Sequence, residues 1–303
     1  SRERLSAAFA ETIGREVDAV AAFGFSPRDI DATVHDGAPP QPILRDAFAD
    51  AFLPTDENSV ASALRWRAGK RASVDFLVAH SRGDDLKDVS PFFGAQFVAP
   101  GAESTVMRAG VTRAFSGGKL RLETGMRREK NALLGSVFTG LFGAASGSTT
   151  YYQSMLADFG LVSGWRAEGR AAIGFTRSGA NGANGFFAGV DKMTVTQFAF
   201  GAYRAGVFSK SDRLAFSASR PLRIESGDLH FVVPYRYDLA TRSLAYEDRF
   251  FGLGGAPREI DIDATYSVAT KVGSFDFAVL RQTNVTADGG DAVMGLMRFE
   301  TSF

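Results

Sequence analysis

From residue 72 onward, apolar and polar side chains alternate with a period of two. Val74, Phe76 and Val78 stand against Ser73, Asp75 and Leu77, and Leu120, Leu122 and Met126 stand against Lys119, Arg121, Glu123 and Arg127. Ile173 and Phe175 lie in phase with Trp165, Ala167, Gly169 and Ala171, opposite Arg166, Glu168 and Arg170. Ile260, Ile262, Ala264, Tyr266 and Val268 oppose Glu259, Asp261, Asp263, Thr265 and Ser267. Leu229, Phe231, Val233 and Tyr235 oppose His230 and Arg236, and the chain finishes on Val293, Gly295, Met297, Phe299 and Phe303 against Arg298, Glu300 and Ser302. Period two puts successive side chains on opposite faces of a strand. Strands are expected near 71–80, 104–115, 118–128, 150–161, 165–176, 193–206, 212–220, 227–237, 242–251, 258–270, 273–283 and 291–303, twelve in all.

Both faces of these strands are strongly marked. The wet face carries too many charges for a sandwich interior, and the apolar face is too uniform for solvent; the alternative is a soluble all-β sandwich or barrel. A lipid-facing exterior around a watery lumen fits both faces. Short turns (116–118, 162–164, 209–212, 271–273) alternate with long connections (81–103, 128–149, 178–192, 252–257), as in membrane barrels with short periplasmic turns and longer outer loops. Keeping that order makes 238–242 a periplasmic turn and 244–251 an additional strand. Residues 59–67 also look extended; they would break the parity and are assigned to the lead-in of the first strand or to a lumen segment. The expected fold is an all-β transmembrane, 12-stranded antiparallel outer-membrane β-barrel with an N-terminal α-helix in its lumen. Twelve strands enclose more than side chains alone and less than a wide channel. Phe303, with Phe299 and Met297, is the expected closing and assembly signal.

The helix is expected over 2–24, where Leu5, Phe9, Ile13, Val17 and Val20 recur every three or four residues. Arg4, Glu11, Arg15, Glu16 and Asp18 take its other faces and would meet charged lumen walls. A second helical pattern (Ile43, Leu44, Ala47, Phe48, Phe52) stops at Pro54. Residues 1–57 thus read as a helical, pore-threading linker and 58–303 as the barrel. The uncharged run 131–157 has too short an apolar part for a spanning helix and reads as a long loop leading into a strand.

Thirty-four basic and 34 acidic residues cancel, which removes the electrostatic case for nucleic acid. The absence of cysteine excludes disulfides and thiol chemistry. The charged start shows no signal peptide, so the chain reads as mature or as cut from something longer. No cofactor is implied, and a monomer is expected.

Candidate chemistry is sparse. Three histidines occur: His35 in a Pro-rich connector, His80 before Ser81 and Asp84-Asp85, and His230, which the alternation points into the lumen. A barrel hydrolase would need one of them beside a nucleophile or an activated water. Glu259, Asp261 and Asp263 share a face and suit either a cation with oxygen ligands or pairing with Arg166, Arg170 or Arg15. With Glu168 these are the expected lumen charges. Gly179 to Gly185 is followed by no Lys-Ser/Thr and reads as an outer loop, not a phosphate cradle. Arginine at Ile262 is expected to be costly, and arginine at Thr265 cheap.

The run R-L-A-F-S-A-S-R-P-L-R-I-E-S-G from Arg213 to Gly227 and the run P-R-E-I-D-I-D-A-T-Y from Pro257 to Tyr266 resemble autotransporter (type V secretion) barrels that follow subtilisin-like serine protease passengers. The A-F-G-F-S-P-R-D-I-D stretch from Ala22 to Asp31 resembles, more loosely, the segment preceding such barrels. The resemblance implies anchoring in outer-membrane lipid, insertion with the help of the barrel assembly machinery, and export of an N-terminal passenger, with any protease activity residing in that passenger and none in these residues. Some such proteins cut their linker at a lumen Asn; here the first Asn is Asn58, outside the expected helix. Glu11, Glu16 and Asp18 suit lumen salt bridges more than acid-assisted cleavage. The rival reading is a diffusion porin with an open lumen.

Overall fold

A computed structural model describes residues 7–13, 16–24, 51–53, 59–83, 86–89, 96–99, 102–134, 145–180, 186–255, 258–270, 272–285 and 289–301. Its strands are β1 Ala7–Ile13, β2 Val17–Phe23, β3 Ser59–Arg67, β4 Ala72–Arg82, β5 Leu86–Val89, β6 Gln96–Ala99, β7 Glu103–Phe115, β8 Gly118–Lys130, β9 Ala145–Gly160, β10 Arg166–Ala180, β11 Phe187–Ala205, β12 Asp212–Asp238, β13 Ser243–Gly252, β14 Ile260–Thr270, β15 Gly273–Thr283 and β16 Ala292–Glu300. A 3-10 turn covers Val162–Gly164, and no α-helix occurs among the described residues.

Fourteen strands form one antiparallel sheet in the order β1-β2-β3-β4-β7-β8-β9-β10-β11-β12-β14-β15-β16, with β13 also paired to β12; β5 and β6 form a separate hairpin. The protein is all-β, and its large sheet is open at β1 and β16.

Three expectations give way here. The helix over 2–24 is replaced, where described, by the hairpin β1–β2, which extends the sheet beyond β3. Val20 and Ala22 of β2 bury their side chains against the core, and sheet pairing satisfies the backbone as fully as a helix would, so tertiary packing overrides local propensity. Residues 59–67 form a full strand rather than a lead-in.

The expected break between 220 and 227 is absent. β12 runs unbroken for 27 residues, its first part paired with β14 (Asp212↔Val268 to Ser219↔Asp261) and its last with β13 (Asp228↔Gly252 to Asp238↔Ser243). β13 and β14 therefore follow one another along one descending path, and the fourteen strands fill thirteen positions rather than twelve. The turn at 239–242 consequently lies at the same end as the long connections, not at the short-turn end. At the opposite end every connection is tight: 14–16, 68–71, 116–117, 161–165, 206–211 and 271–272.

Residues 51–53 pack on one face of the sheet. Leu53 joins Val20, Ala22, Ala61, Ala63, Leu77, Ala79 and Val106 from β2, β3, β4 and β7. Its neighbour Phe52 joins Tyr152, Ala172, Phe187, Val190, Met193 and Val195 from β9, β10 and β11. Two consecutive residues thus join clusters on both halves of this face.

Candidate functional site: the two faces of the sheet

The face that Phe52 and Leu53 cover carries the charge. Asp75 and Glu123 are 2% and 5% exposed and Arg170 is 5% exposed, whereas Phe76, Leu122 and Phe175 on the other face are 52%, 54% and 55% exposed. The usual arrangement of a water-soluble protein, charges out and large apolar groups in, is inverted.

Pairing rows show how orderly the open face is. Val74, Val111, Leu122, Met155 and Ala171 form one row across β4, β7, β8, β9 and β10. Four residues nearer the long connections, Val78, Met107, Met126, Tyr151 and Phe175 form another, with Phe76, Ala109, Thr124, Gln153 and Ile173 between the two. Aromatic groups recur toward the short-turn end, where Trp66 and Phe115 are exposed and Trp165 stacks on Phe216 at 6.3 Å. Along β9 the band from Tyr151 to Phe159 measures about 27 Å at ~3.4 Å per residue. Across strands tilted by about 40° that is ~21 Å, near the ~25 Å apolar band of an outer-membrane barrel.

The covered face has two layers. Toward the long connections lies the apolar layer, with the Phe52 ring stacked on Tyr152 at 4.3 Å. Gly174 makes this possible, because a Cβ there would sit 2.9 Å from both the Phe52 ring and Val195. Gly174→Ala is expected to cost about 1–3 kcal/mol by overpacking, and less in a Phe52→Leu background; urea titration of the protein in detergent micelles measures both.

Below it lies a charge layer. Arg121 of β8 reaches Asp75 of β4 at 2.8 Å and Glu123 at 2.7 Å. Arg108 of β7 lies 3.4 Å from Glu123. Arg170 of β10 reaches Glu123 at 3.2 Å, and Ser154 of β9 donates a short hydrogen bond to it. Gly110 stands between Asp75 and Glu123 in the pairing, and a Cβ there would meet the Asp75 carboxylate at 2.8 Å. Three guanidiniums and two carboxylates from four strands, with the Ser154 hydroxyl from a fifth, thus form one sealed network. Glu123 is its hub.

The expected lumen charges take different partners from those anticipated. Arg166 pairs with Asp158 and donates from Nε to the Tyr203 hydroxyl at 3.1 Å; Glu168 lies half-buried on the covered face. Glu259 and Asp261 accept from Gln282 Nε2 at 3.3 and 3.2 Å, and Asp263 accepts from Ser217. Among the described residues the three acids meet neither Arg166 nor Arg170. Among the described residues no group of three or more His, Cys, Asp or Glu is placed to hold a metal ion.

Of the supposed pore-helix charges, Glu11 stands on β1 in register with Ala19 of β2, while Asp18 turns to the covered face, accepting from Thr12 at 3.0 Å and Arg67 at 2.6 Å. Glu16 sits in the β1–β2 turn, where its carbonyl accepts the Arg67 amide at 2.6 Å. Arg4 and Arg15 lie outside the described residues, as does Phe303. Phe299 stacks on Phe275 at 4.4 Å, and Met297 pairs with Phe277.

His80 and Ser81 occupy opposite faces of β4, His80 exposed and Ser81 buried; His80 Nδ1 lies 3.0 Å from Thr105 Oγ1, and Asp84 and Asp85 are outside the described residues. His230 does not face the covered side. Its neighbours Leu229 and Phe231 pack toward the Phe52 cluster, whereas His230 stacks on Phe250 at 4.5 Å with Nε2 2.6 Å from Asp248. There the covered face is apolar, so the apolar residues of the alternation point inward.

The Asp75–Glu123 network was missed as a unit. Each member shows in the sequence as a polar position opposite an apolar one, but their convergence depends on the pairing of β4 with β7 and of β7 with β8. Comparison with family models, with curated proteins and with solved structures gives no match.

Proposed function

We propose that this chain is the membrane-spanning translocator of an autotransporter, a barrel in the outer membrane that exports an N-terminal passenger. One observation carries the membrane part: large apolar side chains cover the open face in ordered rows while buried ion pairs fill the other. No helix of the described residues is long and apolar enough to cross a membrane; in this reading the strands do the crossing. The export part rests on the resemblance, whose two stretches prove to be neighbours, with Asp212–Ser219 paired to Asp261–Val268.

Strand direction favours one seam for the proposed barrel. Counted over thirteen positions, β1 and β16 run the same way, so a seam between them would be parallel. β2 runs opposite to β16, and a β2–β16 seam is antiparallel and leaves twelve strands. β1 is also the strand least suited to lipid. All its residues are exposed, and the alternation places Glu11 on the same face as Phe9 and Ile13. A charge within the apolar band is unfavourable. With β2 opening the barrel at the short-turn end, the residues before it must pass through the lumen to reach the side of the long connections.

The chain lacks cysteine, so engineered pairs are clean probes of the seam. A cysteine at Ala21 is expected to cross-link to one of Val293→Cys, Gly295→Cys or Met297→Cys in membrane-inserted protein. Cross-linking of those positions to Phe9→Cys instead would place the seam at β1. For export, a small reporter fused ahead of Ser1 and expressed behind a secretion signal should become accessible to protease added outside intact cells. A reporter protected in cells whose barrel is folded in the outer membrane would leave the channel reading.

A further inference from the structure

Immediately beyond the apolar rows, the open face changes character in a single step. The next pairing row toward the long connections is His80–Thr105–Arg128–Thr149–Arg177, each residue the register partner of the next across β4, β7, β8, β9 and β10. His80, Arg128 and Arg177 are exposed and the two threonines half-buried. Lys130, one step further on, faces Glu103 at 3.3 Å. These side chains, with Tyr151 below them, line a groove of about 940 Å3. Its remaining acids are accounted for: Glu129 turns to the covered face, where it takes Arg127, Ser148 and the Leu134 amide, and Asp191 stands at the β11 edge of the groove. Three cations and three acids line the groove; with Glu129 paired to Arg127 and Glu103 to Lys130, Arg128 and Arg177 stand against Asp191.

We propose that this row binds the phosphate of an anionic lipid in the leaflet at the long-connection end. The inference rests on the membrane reading above. Cations directly above an apolar band stand at the depth of the headgroups, where a phosphate meets guanidinium forks and hydroxyl donors while its acyl chains lie along Val78, Met107, Met126, Tyr151 and Phe175. A soluble phosphate would gain nothing from those apolar neighbours, so the ligand is a phosphate-bearing lipid and not the free ion. Arg128 and Arg177 carry the recognition, and Thr105 and Thr149 supply neutral donors between the cations.

The test uses the full chain reconstituted into phosphatidylcholine vesicles with and without phosphatidic acid. Insertion is read first, as protection of the strands from protease in pure phosphatidylcholine; failure there sinks the membrane reading itself. Retention of phosphatidic acid by protein extracted from the mixed vesicles is then read by native mass spectrometry. Near a membrane surface each arginine contributes a factor of about five. Arg128→Gln and Arg177→Gln should each lower retention about fivefold, and the double variant about 25-fold, with insertion unchanged. Inserted protein showing no preference for phosphatidic acid, equal retention by the double variant, or displacement of the lipid by millimolar inorganic phosphate would overturn the proposal while leaving the barrel intact.

Discussion

Glu123→Ala is expected to destabilise the folded chain by about 3–5 kcal/mol, the usual consequence of removing one partner from a buried ion pair. Glu123 is the acid that Arg108, Arg121 and Arg170 share at 2.7–3.4 Å, from three different strands. Without it Arg108 and Arg121 keep the Asp75 carboxylate, at 3.9 and 2.8 Å, while Arg170 loses the carboxylate it reaches at 3.2 Å. The cost arises from stranding cations more than from losing attraction, so Glu123→Gln, which keeps an acceptor oxygen, should recover part of the loss. Replacing Arg170 and Glu123 together should cost less than the sum of the single changes. Urea unfolding in micelles, followed by tryptophan fluorescence, measures all of these; an additive double mutant would show that the network is not a unit.

Leu122→Arg is expected to cost about 2–4 kcal/mol in lipid, the penalty for arginine near the middle of a barrel's apolar band. Leu122 is 54% exposed on the open face, between Val111 of β7 and Met155 of β9, whereas Ile262, the site the alternation suggests, has the exposed Arg281 of β15 as its register partner. The informative control lies on the same face beyond the band. Thr149→Arg, in the row with Arg128 and Arg177, should cost at most about 1 kcal/mol, as near the interface. The comparison with Thr265 that the alternation suggests is unsuitable, because Thr265 is only 2% exposed and an arginine there would be overpacked whatever the solvent. Folding into vesicles, measured against urea, separates the sites, and equal tolerance at 149 and 122 would mean that no lipid band exists.

The parts of the fold legible in the sequence are those where the two faces meet different media. Where a polar residue adjoins a large apolar one, as with Asp75 against Phe76 on β4, Glu123 against Leu122 on β8 and Asp263 against Ile262 on β14, the faces are declared correctly. Where the covered face is itself apolar the rule reverses. Around Phe52 the inner surface needs Val190, Val195, Leu229 and Phe231, so His230 is left outside. Composition misled in two further places. Residues 7–23 are rich in alanine and recur every three or four positions, yet the free edge of β3 recruits them as strands. The S-R-P-L-R-I-E-S-G run looks like a turn, but Pro221 falls where the β11–β12 register shifts, between the partners of Thr196 and Phe198, and past the last β14 partner, Ser219. A strand tolerates proline at such a bulge. Glu123 as a hub was beyond sequence reasoning, because it depends on which strands are neighbours.

The central claim is that the open face meets lipid. Spin labels at single cysteines along residues 150–157 of β9, in the reconstituted full chain, test it most directly. Tyr151, Gln153, Met155 and Ala157 are expected to be accessible to oxygen dissolved in the bilayer and shielded from a water-soluble nickel chelate, while Thr150, Tyr152, Ser154 and Leu156 show low access to oxygen. Access of the chelate to the odd positions, or the absence of any period of two, would contradict it.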